Sequence, residues 1–382
     1  MHMVRRWDIF CRVIDNHGDI GVCWRLAADL AARGHLARLW VDDGRALTWM
    51  APGALEGHWA GVEVRDWALA GDPATLTSLP PADVWIEAFG CDIPTTFLAD
   101  RLASRPGQRK ATWINLEYLS AETFAERTHG LPSPVMQGVA KGCTKYFYYP
   151  GLTPGSGGLL REHDLVARHR RFDRPSWLAK HGIPWQGERL VSLFCYEPAA
   201  LAQLLRQLRE DQRPTRLLVT HGRATAAVQA LCERQPADKH SGDRVAIDFL
   251  PPLTQSDFDH LLWSCDLNFV RGEDSLVRAI WAGKALVWQI YPQHDNAHHA
   301  KLQALLDGLQ SPTSLRQAHA VWNAPGGDAT ALEQALPLDL AIWTECVDRA
   351  RQRLVDQTDL CTRLQDFVDG VLDRPFGSRE NG

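Results

Sequence analysis

Two rhythms alternate along this chain: short apolar runs, and longer stretches in which apolar residues recur at spacings of three and four. The first run, with Trp7, Ile9, Phe10, Val13 and Ile14, stops at Asp15-Asn16-His17-Gly18-Asp19-Ile20-Gly21. Helical spacing follows at Cys23, Leu26, Ala27 and Leu30, and a second strand pattern at 36–41 ends at Asp42-Asp43-Gly44. Strand, helix and strand in so short a span predict a βαβ unit, and hence a parallel sheet with a right-handed crossover. Further strand patterns lie at 62–64, 84–90, 111–116 and 146–150. The glycine-rich stretch 151–162 suits either a loop that covers a ligand or a plain connector. Residues 161–174 are basic and polar, which predicts a solvated stretch leading to a linker. Pro175, Gly182 and Pro184 place the domain boundary between 173 and 184.

A second series begins at 190–196. Pro198 stands at a helix start, and Leu201, Leu204, Leu205 and Leu208 share one helical face. Strand patterns recur at 216–220, 245–250, 266–270 and 285–290, with helical stretches at 258–265 and 276–282. From Ala297 onward the pattern is largely helical, with amphipathic segments at 342–354 and 360–372. The expectation is an α/β protein of two facing, Rossmann-like, doubly wound domains, 1–180 and 181–359. A final helix, within 360–382, is suited to packing back on the first. Ligands would bind in the cleft between the domains, at the carboxyl ends of both sheets.

Composition narrows the partners. A length of 382 residues, 45% hydrophobic and 23% charged, suits two ordinary globular domains. A net charge of -5 provides no basic field for nucleic acid, and no apolar run is long enough to span a bilayer. The N-terminal Met-His-Met-Val-Arg-Arg reads as the approach to a first strand and not as a signal peptide. Nine cysteines without a C-x-x-C pair suggest a reducing, cytoplasmic setting and argue against structural zinc. Most of the fifteen tryptophans belong in the core.

Two segments carry candidate chemistry. The turn after the first strand offers two carboxylates, Asp15 and Asp19, with Gly18 and Gly21 easing a sharp turn or close ligand approach. Its spacing is not the dinucleotide fingerprint, and an aspartate that merely caps the helix would look the same. The second segment runs from Phe269 to Gln293. Its strand ends in Arg271, Gly272 permits a turn, and Ser275 opens a helix whose free N–H groups suit a phosphate. Glu273 and Asp274 would repel phosphate and better accept hydrogen bonds from sugar hydroxyls; capping the helix is their plainer role. His294, His298 and His299 lack a third well-placed ligand and are read as a polar helix face. Asp257 and Asp259 are read as surface carboxylates. Phe258 is read as core or a base-stacking wall; Tyr196 and Phe194, at a strand end, are each able to stack on a base, with core packing the plainer role for Phe194.

Three stretches, VIDNHGDIGVCWRLA, WINLEYLSAE and DFDHLLWSCDLNFVRGEDSLVRAIWAGKALVWQIYPQ, resemble the EarP family, and the likeness extends over essentially the whole chain. These are bacterial protein-arginine rhamnosyltransferases that act on translation elongation factor P. The resemblance implies a GT-B fold and a dTDP-β-L-rhamnose donor. It also implies inverting transfer to one arginine, and neither metal nor cofactor. By the same resemblance Asp19 is the general base and Asp15 a second essential carboxylate. Asn16, His17 and Gly18 then form a donor-contacting turn, although the family more often has Phe where His17 stands. Arg271, Gly272, Glu273, Asp274 and Ser275 match the diphosphate- and sugar-binding segment, Glu273 being functionally essential there. Tyr196 and Gln255 match base-pocket positions. Pro252 occupies the place of the family's usual aromatic, which leaves Phe258 or Tyr291 to stack on the base.

Without the resemblance the residues support a GT-B glycosyltransferase of any donor and acceptor, or a non-catalytic nucleotide-sugar-binding protein. A metal-dependent hydrolase built on the histidines is a further alternative.

Overall fold

The computed structural model describes residues 3–13, 17–103, 110–234, 244–291, 297–325 and 336–372. Asp15, Asn16 and His294 lie outside the described residues. The chain divides into two compact units, 1–163 with 357–382, and 164–356. Among the described residues, no helix is long and apolar enough to cross a membrane.

The first unit is built on a seven-stranded sheet. Its strands are β1 (Arg6–Cys11), β2 (Leu36–Val41), β3 (Val62–Asp66), β4 (Val84–Ala88), β5 (Thr112–Leu116), β6 (Pro132–Pro134) and β7 (Thr144–Tyr148). Their order is β3-β2-β1-β4-β5-β7-β6, parallel except for the β6–β7 pair. β1 alternates between two buried faces, as a central parallel strand must. Trp7, Ile9 and Cys11 join the core under helix Gly18–Ala32 and the terminal helix Leu360–Leu372. Phe10 faces the opposite layer with Trp40, Trp85 and Phe97. On that layer Asp8, fully buried, accepts from Arg38 Nε and Nη2 at 2.6 and 2.7 Å and from Trp40 Nε1 at 3.0 Å.

The second unit carries a five-stranded parallel sheet: β8 (Arg189–Leu193), β9 (Thr215–Val219), β10 (Val245–Phe249), β11 (Leu267–Arg271) and β12 (Ala285–Gln289), in the order β10-β9-β8-β11-β12. Among their parallel strands both orders reverse direction once, between β1 and β4 and between β8 and β11. Such switch points open a crevice at the carboxyl ends of the strands, where α/β proteins place ligands.

Two expectations are corrected, and one that was left open is decided. Residues 165–180 do not run from the solvated stretch into a linker at 173–184: 165–174 is largely surface, with Leu165 its one buried residue, but no linker follows. Residues 165–180 form helices Leu165–Arg171 and Arg174–Lys180, and Trp177 and Leu178 pack with Leu190, Leu218 and Leu250 of the second unit. The stretch 151–162 is a packed connector, with Leu152, Leu159 and Leu160 buried; a Cβ on Gly157 would lie 2.5 Å from the Tyr148 ring. Asp259 is not a surface carboxylate. It is 1% exposed and takes Arg278 Nε and Nη2 at 2.8 and 2.6 Å.

Candidate functional site

In the first unit, β1 runs out toward the helix Gly18–Ala32, with exposed His17 as its N-terminal flank and Asp19 in its first turn. A carboxylate there is favoured by the helix dipole and by unpaired N–H groups. Gly18 is the first helical residue and not a turn glycine: its φ is not left-handed, and a Cβ on it would meet nothing within 4 Å. The His17 ring meets Trp49 edge-on at 5.9 Å.

The neighbouring strand ends add groups that sequence reading passed over. β4 ends just before Phe89, whose φ of 56° is left-handed, followed by Gly90 at 68°. β5 ends just before Glu117 and Tyr118. The Tyr118 ring stacks on Phe89 with centroids 4.6 Å apart and planes 19° from parallel. Its hydroxyl donates to Asp19 Oδ2 at 3.4 Å. Beside it, Glu117 accepts from Asn115 Nδ2 at 2.7 Å; burial pushes its carboxyl above the usual range despite that bond. The available signal was positional: each of these residues directly follows an apolar run, where a parallel sheet presents its ligand edge.

In the second unit the switch point gathers the other segment. Tyr196 follows β8 and donates its backbone N–H to Gln289 Oε1 at 2.8 Å. Arg271 ends β11, and its guanidinium lies 4.4 Å from the Tyr196 ring centroid and 4.7 Å from that of Phe194. Phe194 is therefore no plain core residue: it is half-buried and supports the cation. Phe258 meets Phe194 edge-on at 5.4 Å, and Tyr291, 48% exposed, meets Tyr196 edge-on at 5.6 Å. Gln255 opens helix Gln255–Ser264, one turn before Phe258. Burial lowers the Arg271 pKa, and nearby Arg223 lowers it further against the opposing effect of Tyr196; a guanidinium nonetheless remains cationic.

Gly272, at φ 70°, flanks the N-terminus of helix Glu273–Ala282, and no side chain caps that end. The Ser275 hydroxyl donates back to the Arg271 carbonyl. Lys301 donates to the Glu273 carboxylate, and Trp288 Nε1 holds the Gly272 carbonyl at 2.8 Å. Arg271, the helix N-terminus and four aromatic rings thus share one sheet edge, an arrangement whose chemistry suits an anionic group beside a flat ring.

The chain matches the family model described as Elongation-Factor P (EF-P) rhamnosyltransferase EarP over residues 7–369. It is similar to a protein-arginine rhamnosyltransferase of Pseudomonas aeruginosa, with 44% identity over 94% of this chain and 98% of that one. It also resembles the solved structure described as "Structural basis for EarP-mediated arginine glycosylation of translation elongation factor EF-P". That match has 30% identity and a TM-score of 0.58, covering 96% of this chain and 99% of that chain. A glycosyltransferase structure from Rickettsia africae, at 9% identity and a TM-score of 0.53 over 98% and 100% of the two chains, shares the fold alone.

Proposed function

The chain belongs to the EarP family of protein-arginine rhamnosyltransferases and has their GT-B fold, and from that premise we propose its substrates and mechanism. It moves L-rhamnose from dTDP-β-L-rhamnose to an arginine of translation elongation factor P, with inversion at the anomeric carbon and without a metal ion. The observation that carries the donor reading is the Arg271 guanidinium at a switch point, beside an open helix N-terminus and among the rings of Phe194, Tyr196, Phe258 and Tyr291.

The acceptor guanidinium stays protonated at neutral pH and is a poor nucleophile. Asp19 cannot deprotonate it outright, because the affinities for the proton differ too widely. It can orient the group, localise its charge, and take the proton as the new C–N bond makes that nitrogen acidic. In the same displacement the anomeric C–O bond breaks, and its electron pair leaves with the nucleoside diphosphate. Arg271 and the N–H groups at 273–275 stabilise the growing negative charge, which is the work a metal does elsewhere. Glu273, neutralised by Lys301, can accept from a sugar hydroxyl without repelling the diphosphate.

The test is intact-mass spectrometry of elongation factor P after incubation with the protein, dTDP-β-L-rhamnose and a chelator. A gain of one deoxyhexose is expected. Asp19→Asn should bind donor as wild type does and lose about 100-fold or more in transfer rate. An unmodified acceptor, or activity abolished by the chelator, contradicts the reading.

A further inference from the structure

Just past the ends of β4 and β5, half-buried Phe89 and exposed Tyr118 form an aromatic pair beside Asp19. Tyr118 is 41% exposed, a poor place for a ring that serves only packing. One of its faces is covered by Phe89, near parallel at 4.6 Å, and its hydroxyl reaches Asp19 Oδ2 at 3.4 Å. That distance is loose for a hydroxyl–carboxylate bond, as catalytic contacts often are before substrate arrives.

Phe89 itself is held in the left-handed region, at φ 56°, a conformation that bulky residues avoid. Its backbone N–H donates to the Leu116 carbonyl at 2.7 Å, which ties the strained residue to the strand that leads to Tyr118. Strain of this kind persists where the surroundings impose it, and it clusters at functional sites. The strain here serves to lay one ring under another beside a carboxylate.

We propose that Tyr118, backed by Phe89, is a positioning residue for the arginine acceptor. Its hydroxyl fixes the Asp19 carboxylate, and its ring provides a face on which the planar guanidinium lies. The inference rests on the reading of Asp19 as the proton acceptor. Two features of a guanidinium suit this corner: it stacks on aromatic faces, and it forms in-plane hydrogen bonds to a carboxylate. The bond from the tyrosine hydroxyl holds the Asp19 carboxylate in one orientation for the substrate nitrogen. The two parts of Tyr118 thus have separable effects, the hydroxyl on turnover and the ring on acceptor binding.

The experiment compares wild type, Tyr118→Phe and Tyr118→Leu under steady-state conditions with elongation factor P and dTDP-β-L-rhamnose. Donor affinity is measured separately by calorimetry without acceptor. Tyr118→Phe keeps the face and loses the bond, so kcat should fall about tenfold while the acceptor KM stays within about twofold. Tyr118→Leu should show the same loss and, in addition, an acceptor KM raised about tenfold. Donor affinity should match wild type in both. Active wild type with unchanged kinetics in both variants overturns the positioning role and leaves the transferase reading standing. Weakened donor binding in step with lost activity also overturns it, as a general structural defect. Absence of transfer by wild type overturns both readings.

Discussion

Glu273 shows how a single side chain can be read correctly in type and incompletely in context. Its carboxylate follows Arg271 and Gly272, where a diphosphate would meet repulsion, yet Lys301 pairs with it from the helix Ala297–Gly308. Lys301→Met should therefore weaken dTDP binding roughly three- to tenfold by calorimetry, and Glu273→Gln in that background should restore most of it. If the double variant binds as poorly as the single one, Lys301 acts some other way. The resemblance gave Arg271 to the diphosphate segment, Tyr196 to the base pocket and either Phe258 or Tyr291 to the base; the structure sets Arg271 and Tyr291 against Tyr196, and Phe258 against Phe194. Sequence reading could not find Lys301, 28 residues away, or join Phe89 to Tyr118, 29 residues away, because such contacts depend on three-dimensional packing. Core packing was the plainer of two roles read for Phe194, because an apolar residue at a strand end looks the same whether it meets a leucine or an arginine.

Among the elements, parallel strands were the most legible, because burial on both faces leaves continuous apolar runs between polar stops. β1, β2, β4 and β11 lie where those runs lie. The stretch 151–162 left two roles open because glycine signals both flexibility and close approach. Gly157 is used for the second, against Tyr148. Helices Gln255–Ser264 and Glu273–Ala282 also hide their main tie from sequence, since Asp259 and Arg278 are charged residues buried against each other. Arg278→Met should strip Asp259 of its counter-ion and destabilise the second unit by about 3–5 kcal/mol in urea unfolding. A loss below about 1 kcal/mol would mean that Asp259 finds other compensation, since its burial is nearly complete.

At the scale of the whole molecule, acid should be the destabilising direction. His319 is fully buried; it accepts the Trp288 N–H on Nε2 at 3.0 Å, and its Nδ1–H donates to the Leu315 carbonyl at 2.9 Å, so both ring nitrogens are committed to the neutral form. Burial lowers its pKa to about 4 from the ordinary 6.5. The unfolded chain therefore binds a proton that the folded chain refuses between those values. The stabilising effect is complete above pH 6.5 and is lost as pH falls toward 4. Denaturation in urea should show about 2 kcal/mol less stability at pH 5 than at pH 7.5 from this group alone, and His319→Gln should flatten that part of the slope. A variant with the wild-type slope would contradict this assignment. His129 and His169 are also lowered to about 4, mainly by burial, and act in the same direction with smaller effect because they are less enclosed.

The helix Leu360–Leu372 supplies Leu360, Cys361, Leu364 and Val368 to the core that contains Trp7 and Ile9, while Asp359 and Asp369 bind Arg33 and Arg5. The first strand must therefore wait for residues 360–368, made far later, before its hydrophobic interior can close, whereas the second unit is one uninterrupted run, 164–356. Nascent chains stalled short of residue 360 would carry an open apolar face, with the chaperone dependence and susceptibility to proteolysis that go with it.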